Sequence, residues 1–477
     1  MKKIALLFCL AFVFVLLTCS SVFAEDFLWT LLNEHEKDLK NAEEFKEIAE
    51  PLYFDFGFWH KFGYLHYQDL GSGATEHDKD LRLHSLFAWA EVILEKKHRF
   101  YGRWATISLD YSKGDHGLWD HRIYLPRLDM GFYEYRNKKK KGEENPVKLF
   151  KVRVGRQLLK LGSGMTYRRV HDGVSATAWL ELLNTTIFAS KSVPSEDNVD
   201  QSKPKNRRQR RNFYGAQIEL KHFKEHTPYM YVLLQRDRQG DNIPLANFLF
   251  HSNYLGMGSK GSVGKLVNYH AEYVFCSGSR HSDPFLAFPF PQTREPIRAG
   301  AFDGKAEFLL EGENNAIITL QYMFGSGDRD RFSPTDTGPT PFLGNQAGTD
   351  DNSFVAFGHS DTGYALYPIL SNLHVYRIEF SGTPLPKHKD FKKLRIGIVL
   401  LKFIKDKRGG GISTRKTQTY MKKDVGWEFD LYAHWKVLSD FSVTVKYGHY
   451  QPGNAFPNSF GDRRQLDYFF LGTTYSF

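Results

Sequence analysis

Beyond residue 24 the 477-residue sequence has a single cysteine, Cys276. One thiol closes no internal disulfide, so a disulfide-stapled scaffold is excluded, and Cys276 is expected to serve as a small apolar filler. The same stretch has no long apolar run, which excludes a bundle of membrane-spanning helices, since each would need about 20 consecutive apolar residues. Gly-x-Ser-x-Gly, His-Glu-x-x-His and paired-cysteine metal spacings are also absent, and the 19 histidines are dispersed. No enzymatic activity and no cofactor or metal are therefore expected. Gly325-Ser-Gly-Asp-Arg-Asp330 carries alternate acids but lacks the further spaced acids of a calcium loop, and reads as a turn leaving a strand.

What the sequence does have begins with an export signal. Lys2 and Lys3 precede the apolar run Ile4–Thr18, and Val22 and Ala24 occupy the two small-residue cleavage positions. Cleavage is expected after Ala24. Thr18 before Cys19 argues against a lipidated cysteine, and the apolar run is too short for an anchor. Removing two lysines and no acid takes the net charge from +10 to +8. Glu25–Glu50 reads as a polar helix ended by Pro51, either a solvated periplasmic leader or a small plug.

From Leu52 the period becomes two. Phe54, Phe56, Phe58, Phe62 and Tyr64 alternate with Asp55, Gly57, Lys61 and Gly63. Tyr376, Ile378 and Phe380 alternate with Arg377 and Glu379, and Trp427, Phe429 and Leu431 with Glu428 and Asp430. A helix would scatter these aromatics around its surface, whereas a strand gathers them on one side. Mean hydropathy is only −0.45 although aromatics make up 15% of the chain. A lipid-facing aromatic wall backed by a polar interior has that signature. A closed barrel also satisfies every backbone donor and acceptor, as a bilayer requires.

About 18 strands are expected, starting near residues 52, 81, 99, 121, 147, 172, 184, 212, 228, 247, 264, 299, 314, 372, 391, 424, 441 and 465. Long connections near 191–211, 277–298, 325–371 and 406–423 alternate with short ones near 225–228, 312–314 and 437–440. The Lys-rich segment Asn137–Pro146 is assigned to the short-turn side. The last strand ends in Phe477, with Phe469, Leu471, Thr473 and Tyr475 on the same face, a pattern like the signal read by the barrel-assembly machinery. The fold class is thus all-β, a transmembrane antiparallel β-barrel with a short N-terminal helical segment. Its divisions are a signal peptide at 1–24, a helical leader at 25–50 and an outer-membrane barrel at 51–477.

The alternation sends Arg127, Asp129, Lys151, Arg153, Glu219, Lys221, Asp303, Lys305, Glu307, Arg377, Glu379, Arg395, Glu428, Asp430, Lys436 and Lys446 inward. Paired charges would brace a water-filled barrel, while a ring of Arg and Lys would favour anions. Arg153, Lys305 and Arg377 are the candidates for such a ring. Loop cations at Lys138–Lys141, Lys203–Arg211 and Lys405–Lys423 suit anionic lipopolysaccharide or a funnel for an acidic polymer. An exported chain is not expected to meet nucleic acid.

Four segments carry a family resemblance. Val154-Gly-Arg-Gln157, Leu370-Ser-Asn-Leu373, Asp424-Val-Gly-Trp-Glu-Phe-Asp430 and Gln451-Pro-Gly-Asn-Ala-Phe456 occur in the order of the alginate export family, which the chain resembles from about residue 154 onward. The resemblance implies an 18-stranded barrel with an arginine-lined constriction that passes an anionic exopolysaccharide. It also implies that Arg82, Arg127 and Lys446 match pore positions, with Lys446 standing where arginine is usual. Lysine keeps the charge and loses the bidentate fork.

The chain departs from the family at Gly363-Tyr-Ala-Leu-Tyr-Pro-Ile369, where an Arg and two Glu are replaced by Tyr367, Tyr364 and Ile369. An aromatic constriction suits the faces of a less acidic glycan. The turn Val437–Asp440 is tight where the alginate exporter carries a longer periplasmic segment. The expected function is passive export of an anionic polysaccharide driven by a periplasmic or inner-membrane partner. The alternatives are a general or anion-preferring diffusion porin and a non-transporting adhesin or structural barrel.

Overall fold

The computed structural model describes residues 51–69, 77–113, 120–138, 147–193, 211–238, 249–283, 292–331, 344–412, 421–456 and 465–477. The signal and leader expected at 1–24 and 25–50 lie outside the described residues.

Eighteen strands follow one another: β1 (Leu52–Asp69), β2 (His77–Leu94), β3 (His98–Tyr111), β4 (His121–Lys138), β5 (Val147–Leu161), β6 (Tyr167–Leu180), β7 (Leu183–Lys191), β8 (Arg211–Leu220), β9 (His226–Asp237), β10 (Phe250–Val263), β11 (Val267–His281), β12 (Arg294–Leu309), β13 (Ile317–Gly325), β14 (Leu373–Gly382), β15 (Leu394–Lys405), β16 (Asp424–Lys436), β17 (Phe441–Pro452) and β18 (Leu466–Ser476). Each pairs antiparallel with its neighbours in sequence, and β1 pairs with β18 from Trp59↔Ser476 to Tyr67↔Tyr468, closing the sheet. Every strand begins within five residues of its expected start.

Alternation decides which way side chains point. On β14, Tyr376, Ile378 and Phe380 are exposed on the outer wall, while Arg377 and Glu379 face the lumen. Phe54, Phe56, Phe58 and Phe477 form an exposed aromatic group where β1 meets the C-terminus. Both ends of the barrel chain lie with the short turns, including the hairpin at 95–97 and the tight turn at 437–440, which is the periplasmic side in barrels of this type. The β4–β5 connection, 139–146, expected on that side, lies outside the described residues. Gly325 ends β13 and Asp330 N donates to Asp328 Oδ1 at 2.9 Å, the turn expected there. Cys276 is buried on β11.

The wall from β2 to β5 is braced by buried ion pairs. Arg99 Nε donates to Glu91 at 2.7 Å, Arg103 Nε to Asp129 at 2.5 Å, and Arg153 pairs with Glu134. Asp129 is the extra residue of a bulge between β3 and β4, which turns its carboxylate toward Arg103. Aromatic faces cover the guanidiniums: Phe132 lies 4.7 Å from Arg153 and Tyr101 lies 5.2 Å from Arg99.

Candidate functional site: a partition inside the lumen

β5 and β6 leave the wall halfway along. β4 pairs with β5 only from Lys138↔Leu149 to Gly131↔Arg156, and β6 pairs with β7 only from Trp179↔Asn184 to Asp172↔Lys191. β5 and β6 nevertheless stay paired with each other as far as Leu161↔Tyr167. Residues 157–171 therefore form a hairpin that stands inside the barrel.

The Val154-Gly-Arg-Gln157 segment builds this bend. Gly155 has φ +126° and lies opposite Gly173. A Cβ at Gly155 would run into Gly131 O, and one at Gly173 into Ala189 O, so only glycine fits. Arg156 grips Asp172 at 2.8 and 3.0 Å and donates to Leu128 O at 2.8 Å, satisfying polar groups that the bend exposes. At the tip, Gly162 N donates to Gln217 and Ser163 N to Glu272, each at 2.7 Å, and Tyr231 Oη donates to Thr166 at 2.7 Å.

The β13–β14 connection completes the partition. Asp351 is held by Arg280 and lies 3.7 Å from Arg331. Burial pushes the Asp351 carboxyl up, but the two guanidiniums outweigh it and hold it below the usual carboxylate range. Phe357 N donates to Thr166 O at 2.8 Å and His359 N to Gly164 O at 3.1 Å, so this segment adds itself to the hairpin. Phe357 packs edge-on against Phe213 at 5.1 Å. Farther along, the Glu428 carboxylate of β16 accepts N–H bonds from Tyr364, Ala365 and Leu366 at 2.5, 2.7 and 2.9 Å. Asn372, at φ 52°, donates to Lys407 O and Gly411 O and accepts from Lys407 N, tying this connection to the next. Gly453 N and Ala455 N close the neighbouring loop onto Val425 O and Asp424 O, each at 2.7 Å.

Three of the four segments that carried the family resemblance therefore shape and anchor the partition, and the fourth closes the neighbouring loop onto β16. Glu428, Asn372 and Gly155 lie in those segments, but their roles require knowing which chain segment returns to them, as Gly173 of β6 does to Gly155. Lys160 and Arg168 had no signal, because nothing in the alternation says that β5 and β6 turn inward.

The sequence-derived candidates divide. Lys305, Gln321 and Arg377 occupy one inward row across β12, β13 and β14. Lys305 pairs with Glu307 at 2.8 Å, and Arg377 reaches Asp361 at 2.8 Å and Glu379 at 2.7 Å. Lys446 also faces inward, its ammonium 4.8 Å from the centre of the Tyr364 ring. Tyr367 lies in the partition at φ 47°, its ring 6.1 Å from His359. Arg127 faces inward opposite Ala105 on the other wall. Arg153 is inward but buried in its pair with Glu134, as a brace. Arg82 is a correction: it shares the outer face with exposed Leu86 and pairs with Asp110 at 3.4 Å, its side chain 52% exposed. The two-residue period that turns Leu83 into the barrel turns Arg82 out of it.

The family model described as alginate export matches residues 140–468, well over half of the chain. No curated protein matches the sequence. Among solved structures, Pseudomonas aeruginosa OccK5 (OpdH) is similar with a TM-score of 0.51 at 11% identity, over 89% of this chain and 97% of that one. OccK7 (OpdD) from the same organism gives 0.51 at 9% identity, over 90% and 99%. OccK8 (OprE) gives 0.50 at 12%, over 89% and 98%. At such identities these likenesses show the fold alone. With the lipid-facing wall, the closed 18-stranded sheet and the matched family together, the chain belongs to the alginate export family of outer-membrane β-barrel pores.

Proposed function

We propose that the barrel exports an anionic exopolysaccharide of the alginate type, passing it as an extended chain alongside the internal partition. One observation carries this reading. Lys160 and Arg168 are directly opposite each other on the inward hairpin, and both side chains run over Gly164, where a Cβ would lie 3.0 Å from Lys160 Cε and 3.4 Å from Arg168 Cδ. Directly opposed like charges destabilise a strand pair. An anion passing over the hairpin meets both charges at once.

Lys160, Lys260 and Lys305 all lie within electrostatic reach of His270 on the β11 wall. Arg377 and Lys446 continue the path, with Arg127 on the far wall. Arg153 supports it from beneath. Carboxylates pass between such cations, while the rings of Tyr364 and Tyr367 offer flat surfaces to sugar faces. Glu307 and Glu379 beside the cations keep binding weak enough for release. Signal cleavage after Ala24, insertion by the barrel-assembly machinery and a periplasmic export partner complete the reading.

Planar-bilayer recording tests it. Anion-selective current blocked by oligouronate is expected, with the block weakened about tenfold in Lys160→Gln/Arg168→Gln, the equivalent of about 1.4 kcal/mol. Large conductance without oligouronate block identifies a diffusion porin instead, and absence of conductance identifies a non-transporting barrel.

A further inference from the structure

Two stretches of the outer face at the long-loop rim carry unlike charge patterns. From β13 through the closure seam to β3, cations stand beside carboxylates: His374 with Asp406 at 3.9 Å, Lys402 with Asp424 at 2.6 Å, His449 with Asp467 at 2.9 Å, His66 with Asp80 at 2.9 Å and Arg82 with Asp110 at 3.4 Å. In two of these the geometry repeats, a tyrosine two residues earlier also donating to the same aspartate at 2.7 Å: Tyr64 to Asp80 and Tyr447 to Asp467. This stretch is electrically self-contained.

On β9–β12 the pattern changes. Arg236 bonds the Asn253 amide oxygen at 2.7 Å and the main-chain oxygens of Gln235 and Ser252. Arg294 bonds Ser279 Oγ at 2.9 and 2.7 Å. His251 lies opposite Arg236 across one strand pair and opposite Ser279 across the next, and His281 lies opposite Arg294. Arg236, His251, His281 and Arg294 are thus one contiguous outward patch. Among the described residues none of the four pairs with a carboxylate, and His251 Nδ1 and His281 Nδ1 have no hydrogen-bond partner. Directly below the patch, β10 and β11 present exposed Leu255, Met257, Tyr273 and Phe275 to lipid.

We propose that this patch binds the phosphate of a phosphorylated glycolipid of the outer leaflet, with the acyl chains lying along Leu255, Met257, Tyr273 and Phe275. The height fits, because the cations sit where the apolar band ends. The charge fits, because among the described residues the two guanidiniums meet only neutral acceptors, leaving their positive charge for an anion. Phosphate geometry suits the arginine fork, and charge-assisted bonds strengthen at the edge of a low-dielectric layer. The stretch running through the closure seam, where an aspartate faces each of these cations, offers no equivalent site.

Native mass spectrometry of the purified barrel in nonionic detergent tests this, with bisphosphorylated lipid A and its fully dephosphorylated form as the two probes. The parent is expected to retain the phosphorylated form preferentially. Arg236→Gln/Arg294→Gln should weaken that binding about tenfold or more, while Arg82→Gln on the compensated stretch leaves it at the parental level. If the double variant fails to assemble, the two single variants carry the test, each with an expected loss of roughly threefold. Equal retention of the phosphorylated lipid by parent and variants overturns the proposal, as does equal retention of both lipids by the parent.

Discussion

Glu428 is the point at which a small change should act most on the channel. Its carboxylate is fully buried and is the acceptor for three consecutive backbone N–H groups of the partition, Tyr364, Ala365 and Leu366. Glu428→Ala removes all three acceptor contacts and leaves the donors without partners. Hydrogen bonds to a charged acceptor are worth about 1.5–3 kcal/mol each, so the local loss is on the order of 4 kcal/mol, allowing for relaxation and some rehydration. At about 1.4 kcal/mol per decade the released state gains nearly three decades in population. The release is local, because Asp351 and Phe357 still tether the connection at its other contacts, and the 18 paired strands are untouched. The expected result is a barrel with the parent's heat-shifted gel mobility, higher mean conductance and frequent substates. Glu428→Gln keeps one oxygen acceptor and should fall between. A Glu428→Ala trace indistinguishable from the parent's, with oligouronate block intact, would refute the claim that this carboxylate seats the partition.

Gly155→Val adds a Cβ that runs into Gly131 O at a backbone angle that valine avoids, so the hairpin should lose its bend; reduced assembly yield or a widened pore in bilayers is the expected readout. Arg82→Gln should leave anion selectivity at the parental value, since Arg82 faces outward; a measurable shift in reversal potential would return it to the pore. Asp328 accepts from Asp330 N and Asn352 N, and burial, with Asp351 nearby, pushes its carboxyl up to about 6. A raised folded pKa means that this contribution is complete below the unfolded value and lost as pH rises through about 6, so substates should increase between about pH 5 and 7.5 in the parent and change less with pH in Asp328→Asn. Asn372→Ala removes three bonds linking two long connections and should give substates like those of Glu428→Ala.

The sequence alone determined the wall. Alternation such as that of Tyr376, Arg377, Ile378 and Glu379 is a local property, because a strand places successive side chains on opposite faces whatever its partner. The count of alternating runs and the turns between them then give the strands and their order, and a bilayer's demand that every backbone group be paired requires closure. Tertiary structure decided what occupies the interior. Whether a hairpin stays in the wall depends on which neighbour pairs with it, and that turned on Gly155 meeting Gly173 across two strands. It also decided the fate of individual charges. Arg153 became a buried brace because Glu134 lies opposite it, and Lys160 entered the lumen because its strand bends. Charge and period are written residue by residue, whereas a partner's position exists only once distant segments have met.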